Sequence, residues 1–526
     1  MSKRNHILVV FLALIAACTD PLVSEDAPHN GGSISTDVVD KPGFTVKGMV
    51  FADGMPLPGA IVSDGANVTM TDFDGKYWLR STSSEDVVWV SLPSGYEPEV
   101  KNGWEPRFWY RLDQSMLASG KTQRFDFHLK EVNQDRFRLI AYADAHVRGM
   151  IPSYGRKEMD SLVFRKHFQP LLLSLKKSDV RTYAVSLGDM IMESSVTAYS
   201  TGLPEYRKCL RGTDFPVFHV PGNHDYEGIQ YKKYDTEEAR ESKQYYIDNF
   251  GPTYYSFNIG NNHFVMLDGT QMTGGGQNVY LSRVTKRQYE WLKKDLSRVE
   301  DKAGKALVIC CHQPFYMYAT ATAQGVGSLK KANRDSLMAL TAEFPKVTIL
   351  SGHQHYSDIY NFSNGATEVS QYTIPAASGV GYRSRQCIDG ALCGAAVFDF
   401  KGTEYSREMA AYDPEWEGYA RFYTEGGFTA DNPDIGCYII NIPSYEKGWS
   451  VMVLENGIKV KDASRVIRTD PGYEKEWADN GYSNTSSVKP IANSHMFEYV
   501  PSNRSATIRM IVKRENETVA EKTIEN

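Results

Sequence analysis

The stretch Val217-Phe218-His219-Val220-Pro221-Gly222-Asn223-His224-Asp225 joins an apolar run to a polar turn. Residues 217–220 predict a buried strand, and residues 222–225 follow its carboxyl end. Open α/β sheets bind their ligands just beyond the carboxyl ends of their strands, so residues 222–225 lie where functional side chains are expected. Asn, His and Asp offer oxygen and imidazole donors, which suit divalent metals such as Mn, Fe and Zn. The stretch therefore predicts an α/β fold with a metal site at this strand end.

The same pattern recurs along residues 136–400. Apolar, strand-like runs also lead into Asp144-Ala145-His146, Gly188-Asp189, His312 and Gly352-His353-Gln354-His355. Amphipathic helices are predicted between these runs, for example over residues 162–176 and from Thr285, which forms a capping box with Gln288. Strands that alternate with helices predict an α/β domain over residues 136–400. Because every motif follows a strand, we expect the polar side chains to form one site.

Each motif alone has a simpler interpretation. The stretch Asp144-Ala145-His146 fits a turn, and Gly188-Asp189 alone carries almost no information. Residues 222–225 alone fit a tight turn in which Gly and Asn adopt positive φ. The motifs together, each at a strand end, favour one shared metal site over coincidence. His219 and His263 differ, because they lie within strand-like runs and are expected to be core histidines.

Two β-rich regions flank the α/β domain. Residues 43–132 contain short alternating strands separated by Asp-Gly turns, which predict an N-terminal β-sandwich. The segment from Gly48 to Tyr77 resembles the carboxypeptidase regulatory-like domains of many exported bacterial enzymes. That resemblance implies a spacer or docking module. Short strands return over residues 401–526 and predict a C-terminal β-domain.

Two cysteines leave two alternatives open. Cys387 and Cys393 flank the turn Asp389-Gly390. A disulfide in an oxidising compartment and a pair of buried free thiols both fit this spacing. The chain contains no Cys-x-x-Cys motif, so a cysteine-based zinc site is not expected.

The N-terminal residues are typical of an export signal. Two basic residues precede an apolar run over residues 7–15, which is too short to span a bilayer. The run ends in Ile15-Ala16-Ala17-Cys18, which resembles the bacterial lipobox. This resemblance implies that residues 1–17 are removed as a signal peptide and that Cys18 is lipidated. An ordinary secretory signal with a coincidental Cys is the alternative.

The N-terminal stretch predicts that the folded part of the chain lies outside the cytoplasm, and the charge of the chain argues against nucleic acid as partner. Residues 18–42 are rich in Asp, Ser, Gly and Pro and predict a flexible tether. We therefore expect an exported bacterial lipoprotein, anchored to a membrane by its lipid, in the periplasm or at the cell surface. The formal net charge is −6 without a long basic run, which argues against a nucleic-acid duplex as partner.

The motifs supply the groups that hydrolysis of a phosphate ester needs. The reaction requires a nucleophilic oxygen, charge neutralisation at phosphorus and assistance to the leaving group. Two metal ions about 3.5–4 Å apart provide all three by activating a water molecule and binding the phosphoryl oxygens. A carboxylate shared by both ions holds them this close, and Asp189, on a turn that begins with Gly188, is the best candidate.

The order D-x-H, G-D, G-N-H-D, H and G-H-x-H resembles the calcineurin-like metallophosphoesterase superfamily over about residues 136–360. The resemblance implies a four-layer α/β/β/α core that binds two divalent metal ions, with Mn, Fe and Zn all compatible. The ligands of one metal would be Asp144, His146, Asp189 and His355. The ligands of the second would be Asp189, Asn223, His312 and His353. The resemblance also implies that His224 acts on the phosphate or leaving group as a general acid, oriented by Asp225.

One position departs from a branch of this superfamily. Purple acid phosphatases place a Tyr three residues after the bridging Asp, and this chain has Met192 there. An Fe(III)–tyrosinate centre is therefore not expected. The overall layout is similar to that of exported bacterial metallophosphoesterases with β-domains on both sides of the catalytic core.

Substrate contacts are predicted on the loops outside the motifs. Tyr226, Tyr316 and Arg383 are the candidates, with a packing or surface role as the alternative for each. The expected substrate is a phosphate mono- or diester, either a small molecule or an ester linked to a glycan or lipid. A non-catalytic surface-binding lipoprotein with a vestigial metal site is the alternative function. The complete set of ligand residues and the presence of His224 favour the enzyme.

Overall fold

The computed structural model describes most of the chain. The described residues are 35–147, 160–192, 196–226, 239–274, 280–317, 328–379, 384–412, 420–423, 436–446, 448–480 and 489–525. The predicted signal peptide, the lipidation site Cys18 and the candidate substrate contact Arg383 lie outside these residues. Within the described part of the chain, no helix is long and apolar enough to cross a membrane.

Short strands and Asp-Gly turns build a β-sandwich in the N-terminal region. Its elements are β1 (Val46–Ala52), β2 (Met55–Pro56), β3 (Ile61–Ser63), β4 (Val68–Met70), β5 (Lys76–Leu79), β6 (Val87–Ser91), β7 (Tyr96–Pro98), β8 (Val100–Lys101), β9 (Glu105–Pro106), β10 (Trp109–Arg111), α1 (Gln114–Ala118), β11 (Gln123–Arg124) and β12 (Phe127–Glu131). One sheet has the order β11-β1-β12-β7, with β2 and β5 also paired to β1, and the other has the order β10-β6-β3-β4. Tyr77 and Phe127 of the first sheet share a buried cluster with Val62 and Val90 of the second. The predicted β-rich N-terminal region is confirmed.

The central region alternates strands with helices, as the apolar pattern predicts. Its elements are β13 (Arg136–Tyr142), α2 (Asp160–Val163), α3 (Gln169–Ser174), β14 (Arg181–Ser186), α4 (Val196–Cys209), β15 (Val217–His219), α5 (Arg240–Phe250), β16 (Tyr255–Ile259), β17 (Asn262–Leu267), β18 (Thr270–Met272), β19 (Tyr280–Ser282), α6 (Lys286–Leu296), β20 (Ala306–Cys311), α7 (Lys331–Ala339), β21 (Lys346–Ser351), β22 (Asp358–Asn364), β23 (Thr367–Thr373), β24 (Gly394–Lys401) and β25 (Glu404–Ala411). A π-helical turn (Phe164–Phe168) connects α2 to α3. Helix α6 begins at the predicted N-cap Thr285, whose side chain accepts a hydrogen bond from the backbone amide of Gln288.

Most of these strands form two mixed sheets, and β18 and β19 pair with each other in a separate hairpin. The first has the order β15-β14-β13-β24-β25, and the second has the order β16-β17-β20-β21-β23-β22. Strands β13, β14 and β15 are parallel to one another, and so are β17, β20, β21 and β23. Because parallel strands end at the same edge of a sheet, the motifs after β13, β14, β15, β20 and β21 collect there. Strand β25 pairs with β24 along its whole length, so the first sheet continues past residue 400.

Apolar side chains place this pair of sheets between helices. Leu139 of the first sheet shares a buried cluster with Phe264 of the second. On the other face of the first sheet, Ile140 belongs to a separate cluster that includes Tyr206 of α4. Helices α6 and α7 add apolar side chains, among them Trp291, to the cluster of the second sheet. The predicted four-layer α/β/β/α core is confirmed.

The N-terminal region packs against this core over a buried surface. The rings of Trp89 on β6 and Trp291 on α6 meet edge to face, with their centroids 6.0 Å apart. The guanidinium of Arg240 on α5 donates to both carboxylate oxygens of Asp86, at 2.8 and 2.7 Å. The sequence implied a spacer or docking module. In the structure, the region belongs to the same compact unit as the core.

Two further sheets and one helix form the C-terminal region. Its elements are β26 (Arg421–Tyr423), β27 (Tyr438–Asn441), β28 (Trp449–Glu455), β29 (Ile458–Lys459), β30 (Ser464–Arg468), α8 (Pro471–Asp479), β31 (Asn493–Tyr499), β32 (Ile508–Arg514) and β33 (Glu517–Ile524). The sheets have the orders β26-β27-β31-β30 and β29-β28-β32-β33. Ile440 and Phe497 of one sheet share a buried cluster with Val453 and Met510 of the other. The predicted β-rich C-terminal region is confirmed.

A joining segment, residues 384–393, lies between β23 and β24. Cys387 and Cys393 are buried in it as free thiols, which is one of the two alternatives that the sequence leaves open. The backbone amide of Gly390 donates to the carbonyl of Cys387 at 2.9 Å and closes the turn between them.

The packing of Trp291 leads to a stability prediction. Trp291 is 1% exposed and contacts Trp89 and Tyr254 at the boundary between the N-terminal region and the core. For Trp291→Ala we expect the free energy of unfolding to fall by about 3–5 kcal/mol, because the substitution removes a large buried side chain. The measurement is chemical denaturation followed by circular dichroism. Phe73→Ala is the control, since Phe73 is 79% exposed, and an unchanged midpoint for Trp291→Ala would contradict the prediction.

Candidate metal centre

The predicted ligand side chains converge at the carboxyl ends of the parallel strands. Their ligand atoms form three groups, and within each group the atoms lie within 4.8 Å of one another. The groups are Asp144, His146 and His355; His146, Asp189 and His224; and Asp189, His312 and His353. His146 and Asp189 each belong to two groups, so the three groups form one continuous centre.

The two carboxylate oxygens of Asp189 have different partners. Oδ1 accepts a hydrogen bond of 2.8 Å from the backbone amide of His224. Oδ2 lies 3.1 Å from Nε2 of His312 and 3.8 Å from Nε2 of His146. Burial raises the pKa of a carboxyl group, but the imidazoles of His312 and His224 hold the pKa of Asp189 well below its ordinary value. Asp189 is therefore ionised and lies between imidazoles of different groups.

The two carboxylate oxygens of Asp144 also have different partners. Oδ2 accepts a hydrogen bond of 2.8 Å from the backbone amide of His353. Oδ1 lies 3.2 Å from Nε2 of His355. Burial opposes ionisation, but His355 and His146 lower the pKa of Asp144 below its ordinary value. Each carboxylate thus fixes a loop with one oxygen and faces the imidazoles with the other.

Two pairs of imidazoles face each other nitrogen to nitrogen. Nε2 of His146 lies 2.8 Å from Nε2 of His355, and Nδ1 of His353 lies 3.1 Å from Nε2 of His312. Burial lowers the pKa of His312, but Asp189 outweighs this effect and raises that pKa to about 9. Two facing ring nitrogens share one proton or bind one cation. The two pairs therefore mark two positions for a cation.

The ring nitrogens that point away from the centre have partners of their own. Nδ1 of His312 donates to the carbonyl of Leu187 at 2.7 Å, and Nε2 of His353 lies 3.2 Å from the hydroxyl of Tyr280. Outer hydrogen bonds of this kind select the tautomer and aim the inner nitrogen at a metal. Sequence analysis missed both partners. A main-chain carbonyl has no sequence signal, and Tyr280 lies on β19, away from every motif.

Several ligand residues have an uncommon backbone conformation. The φ angle is positive at Asp144 (54°), His146 (44°), Asp189 (51°), His353 (72°) and His355 (55°). Residues with a Cβ atom rarely adopt this region, because the side chain approaches the backbone too closely. Such strain persists only where neighbouring contacts maintain it, and it concentrates at functional sites.

Two glycines allow the loops to approach this closely. A Cβ atom on Gly222 would lie 2.1 Å from Oδ1 of Asp189, and one on Gly352 would lie 2.5 Å from Cβ of Ala143. Neither distance leaves room for a side chain. Neither Gly222 nor Asn223 has a positive φ, so the alternative of a tight turn that requires it is wrong.

His224 borders the centre beside Asp189. Its Nε2 lies 3.9 Å from Oδ2 of Asp189, and its Nδ1 donates to the carbonyl of Met192 at 2.6 Å. This bond places the proton of the neutral ring on Nδ1 and leaves Nε2 unprotonated. Burial lowers the pKa of His224 to about 4, against the opposing effect of Asp189. The imidazole is therefore neutral at neutral pH.

The prediction that Asp225 orients His224 is wrong. Oδ2 of Asp225 accepts from the backbone amide of Gly222 at 2.8 Å. Oδ1 accepts from the amides of residues 190 and 191 at 2.8 and 3.3 Å. Asp225 therefore ties the loop of residues 190–192 to Gly222. That loop supplies the carbonyl of Met192, to which Nδ1 of His224 donates.

The predicted substrate contacts have different outcomes. Tyr226 is fully buried and its hydroxyl donates to Asp268 at 2.6 Å, so the prediction that it touches substrate is wrong. Tyr226 follows a motif but points into the core. Tyr316 is half-buried, with the guanidinium of Arg334 4.5 Å from its ring centroid, and its contact with substrate stays a prediction. Arg383 lies outside the described residues.

The two histidines predicted to be core residues lie outside the three ligand groups. His263 is buried and bonded through its two ring nitrogens to Asn258 and Asp295, at 2.9 and 3.0 Å. His219 is also buried, and burial lowers its pKa to about 3. Both are core histidines as predicted, although Nε2 of His219 has no hydrogen-bond partner among the described residues.

The donor set fits two divalent cations. Besides the imidazoles and Asp189, it contains two buried oxygens that the described residues leave without a hydrogen bond, Oδ1 of Asp144 and Oδ1 of Asn223. The family resemblance assigns one of these oxygens to each metal. Carboxylate, amide and imidazole donors suit Mn, Fe or Zn. The assignment of each ligand to one of the two metals stays a prediction.

Known proteins share part of this sequence. Purple acid phosphatase 15 of Arabidopsis thaliana is 30% identical over 153 residues, which are 28% of this chain and 26% of that protein. Purple acid phosphatase 23 of the same plant is 29% identical over 156 residues, which are 28% of this chain and 31% of that protein. The chain therefore matches less than a third of the length of either relative. A purple acid phosphatase of known structure from yellow lupin (Lupinus luteus) seeds is 12% identical, with a TM-score of 0.38, over 68% of this chain and 67% of that one.

Three models of one family match consecutive parts of the chain. The model for the N terminal of calcineurin-like phosphoesterase matches residues 44–132. The calcineurin-like phosphoesterase model itself matches residues 137–357, which include every predicted metal ligand. The model for the C terminal of calcineurin-like phosphoesterase matches residues 371–517. Since the three matches cover most of the chain, it belongs to the calcineurin-like phosphoesterase family.

Proposed function

We propose that the protein is a metal-dependent phosphoesterase that hydrolyses phosphate mono- or diesters outside the cytoplasm. Membership of the calcineurin-like phosphoesterase family supports this reaction class. The observation that carries the proposal is the position of Asp189, an ionised, buried carboxylate that belongs to two ligand groups. Perturbed, buried charges and strained ligand residues are costly to fold, and they are typical of a working active site.

Asp189 and the imidazoles around it would bind the cations that the reaction needs. Cations bound there would neutralise charge at phosphorus and lower the pKa of a water molecule. Asp189 holds the two cation positions together, and the four ligand imidazoles complete them. The hydrogen bond of His312 to the carbonyl of Leu187 and the contact of His353 with the hydroxyl of Tyr280 keep two of these imidazoles aimed inward before a substrate arrives.

His224 is placed to transfer a proton to the leaving group. Its Nε2 faces the centre, while its Nδ1 is held by the carbonyl of Met192. A phosphate group next to the ring is an anion, so it raises the pKa of the imidazole and favours uptake of a proton at Nε2. The ring then donates this proton to the leaving oxygen. Met192 thus takes the orienting role that the family resemblance implied for Asp225.

Replacement of His224 should separate proton transfer from metal binding. For His224→Ala we expect kcat with p-nitrophenyl phosphate and bis-p-nitrophenyl phosphate to fall about 10²–10⁴-fold, with the metal content unchanged. For Asp189→Asn we expect loss of both turnover and bound metal, because the shared negative charge is removed. Release of p-nitrophenol measures turnover, and atomic emission spectroscopy measures metal content.

His263→Asn is the matched control for these variants. His263 is also a buried histidine, paired with Asp295 at 3.0 Å, but it belongs to none of the ligand groups. We expect this variant to lose stability and to keep its kcat. An unchanged rate in Asp189→Asn or His224→Ala would contradict the proposed mechanism. A wild-type protein that binds metal yet hydrolyses no ester in a panel of nucleotides, sugar phosphates and phospholipid headgroups would favour the surface-binding alternative.

The close approach at Gly222 leads to a prediction about metal affinity. In Gly222→Ala the new Cβ would lie 2.1 Å from Oδ1 of Asp189, so the bridging carboxylate must move. We expect the affinity for Mn²⁺ to fall at least about tenfold, the lower range for disturbed support of a metal ligand. Gly402→Ala is the control, because its Cβ would meet nothing within 4 Å. Its φ of +62° strains an alanine there, but Gly402 bonds to Asp135 before β13, at the end of that strand opposite to Asp144, so the strain should lower stability rather than metal affinity. Equal affinities in Gly222→Ala and the wild type would refute this account.

We further propose that the chain is exported and anchored through a lipid on Cys18, in the periplasm or at the cell surface. The basic start, the short apolar run and the Ile15-Ala16-Ala17-Cys18 stretch support this proposal. In bacteria labelled with radioactive palmitate, we expect the wild-type protein to carry the label and to sediment with membranes. Cys18→Ala should carry none, and a labelled Cys18→Ala protein would exclude lipidation at this residue.

A further inference from the structure

The end of the metal-ligand loop is held by a carboxylate from outside the motifs. This loop, residues 352–357, ends at the buried Ser357, whose backbone amide donates to Oδ2 of Asp389 at 2.8 Å. Asp389 lies in the joining segment and is fully buried. Asp144 already holds the start of the loop through the amide of His353. The loop is therefore fixed by one carboxylate near each end.

Asp389 also contacts a histidine of the C-terminal region. Nε2 of His495, on β31, lies 3.0 Å from the same Oδ2. Nδ1 of His495 lies 2.6 Å from Oδ1 of Asn441. The amide nitrogen of Asn441 donates to the carbonyl of Asp389 at 3.1 Å and to Asp470 at 2.7 Å, which settles the orientation of that amide. Both ring nitrogens of His495 thus face acceptors, and both donate when the ring is positively charged.

Ser357 has a second, direct bond to the C-terminal region. Its Oγ donates to the carbonyl of Pro443 at 2.7 Å. The neighbouring Tyr356 packs with Ile388 of the joining segment and Tyr473 of α8 in a small buried cluster. The end of the metal-ligand loop therefore contacts both the joining segment and the C-terminal region.

We infer that Asp389 is a positioning residue of the metal centre, and that the C-terminal region is needed to hold it in place through His495. His353 and His355 have positive φ, a conformation that neighbouring contacts must maintain. Asp389 supplies such a contact at the end of their loop. Asp389 is itself buried, and Nε2 of His495 holds its Oδ2 through a second contact at 3.0 Å. The inference rests on the metal centre of the proposed function and extends its support beyond the motifs.

Metal affinity, rather than turnover, tests this inference. The Kd of the full chain for Mn²⁺ and Zn²⁺ is measured by competition with a chromophoric chelator. Asp389→Ala removes the acceptor of the Ser357 amide, and we expect the affinity to fall about 10–100-fold, as after loss of an outer partner of a metal ligand. Asp389→Asn keeps an oxygen that can accept from that amide and face His495, but its amide nitrogen would meet the backbone amide of Ala391, which donates to Oδ1 of Asp389 at 3.0 Å. It should therefore recover part of the affinity.

Tyr423→Phe is the matched control from the same buried network. The Tyr423 hydroxyl donates to the two carboxylate oxygens of Asp470, at 2.7 and 2.6 Å, rather than to Asp389. We expect this variant to melt at a lower temperature but to keep a metal affinity within about twofold of the wild type, since it leaves the bond to Ser357 in place.

Two results would overturn the inference. One is wild-type affinity in Asp389→Ala, and the other is an equal loss of affinity in Tyr423→Phe. If Asp389→Ala does not fold, His495→Ala decides, because it removes the ring that contacts Oδ2 of Asp389 and leaves both bonds of Ser357 in place. We expect it to weaken metal binding severalfold, and an unchanged affinity would again overturn the inference. A wild-type chain that binds neither metal would overturn the proposed function as well, so the two failures are distinguishable.

Discussion

The metal centre depends on buried carboxylates that each divide their two oxygens between a backbone amide and the imidazoles. In Asp144 and Asp189, one oxygen holds the loop of another strand end, and the other faces ring nitrogens. A buried negative charge is stable only with compensating hydrogen bonds and positive charge. Asp144 follows the first sheet and binds the amide of His353, which follows the second. The hydrogen bond that stabilises the buried charge of Asp144 therefore also joins the two sheets.

Residues outside the metal centre hold its ligands in place. Main-chain carbonyls and Tyr280 orient the imidazoles, and Asp225 ties together the loops of the first sheet. Asp389 has a similar role, because its carboxylate holds the backbone amide of Ser357 and also contacts Nε2 of His495 in the C-terminal region. The flanking β-rich regions are thus packed into the structure that carries the site, through Trp89 on one side and the joining segment on the other.

The correct predictions depend on local patterns of residues in the sequence. An apolar run followed by a polar motif identifies a strand and its ligand end, so the α/β domain and the groups around Asp189 followed from short stretches. The two-sheet core was implied by the family resemblance. The errors have one physical cause, since neighbours in sequence can point in different directions. Asp225 follows His224 in the sequence, but its carboxylate accepts hydrogen bonds from backbone amides. Tyr226 follows the motif, but its hydroxyl donates to Asp268 in the core.

Residue type and spacing alone were enough to identify the donor atoms, the strand ends that carry them and the family resemblance, because these depend on chemistry within a few residues. Only the tertiary structure decided which carboxylate oxygen holds which loop, which carbonyl orients His224 and how Asp389 meets His495. Such contacts join residues that are far apart in the sequence: 32 positions for Met192 and His224, 35 for Met190 and Asp225, and 106 for Asp389 and His495. Their geometry arises when separate sheets pack together, and no local pattern records it.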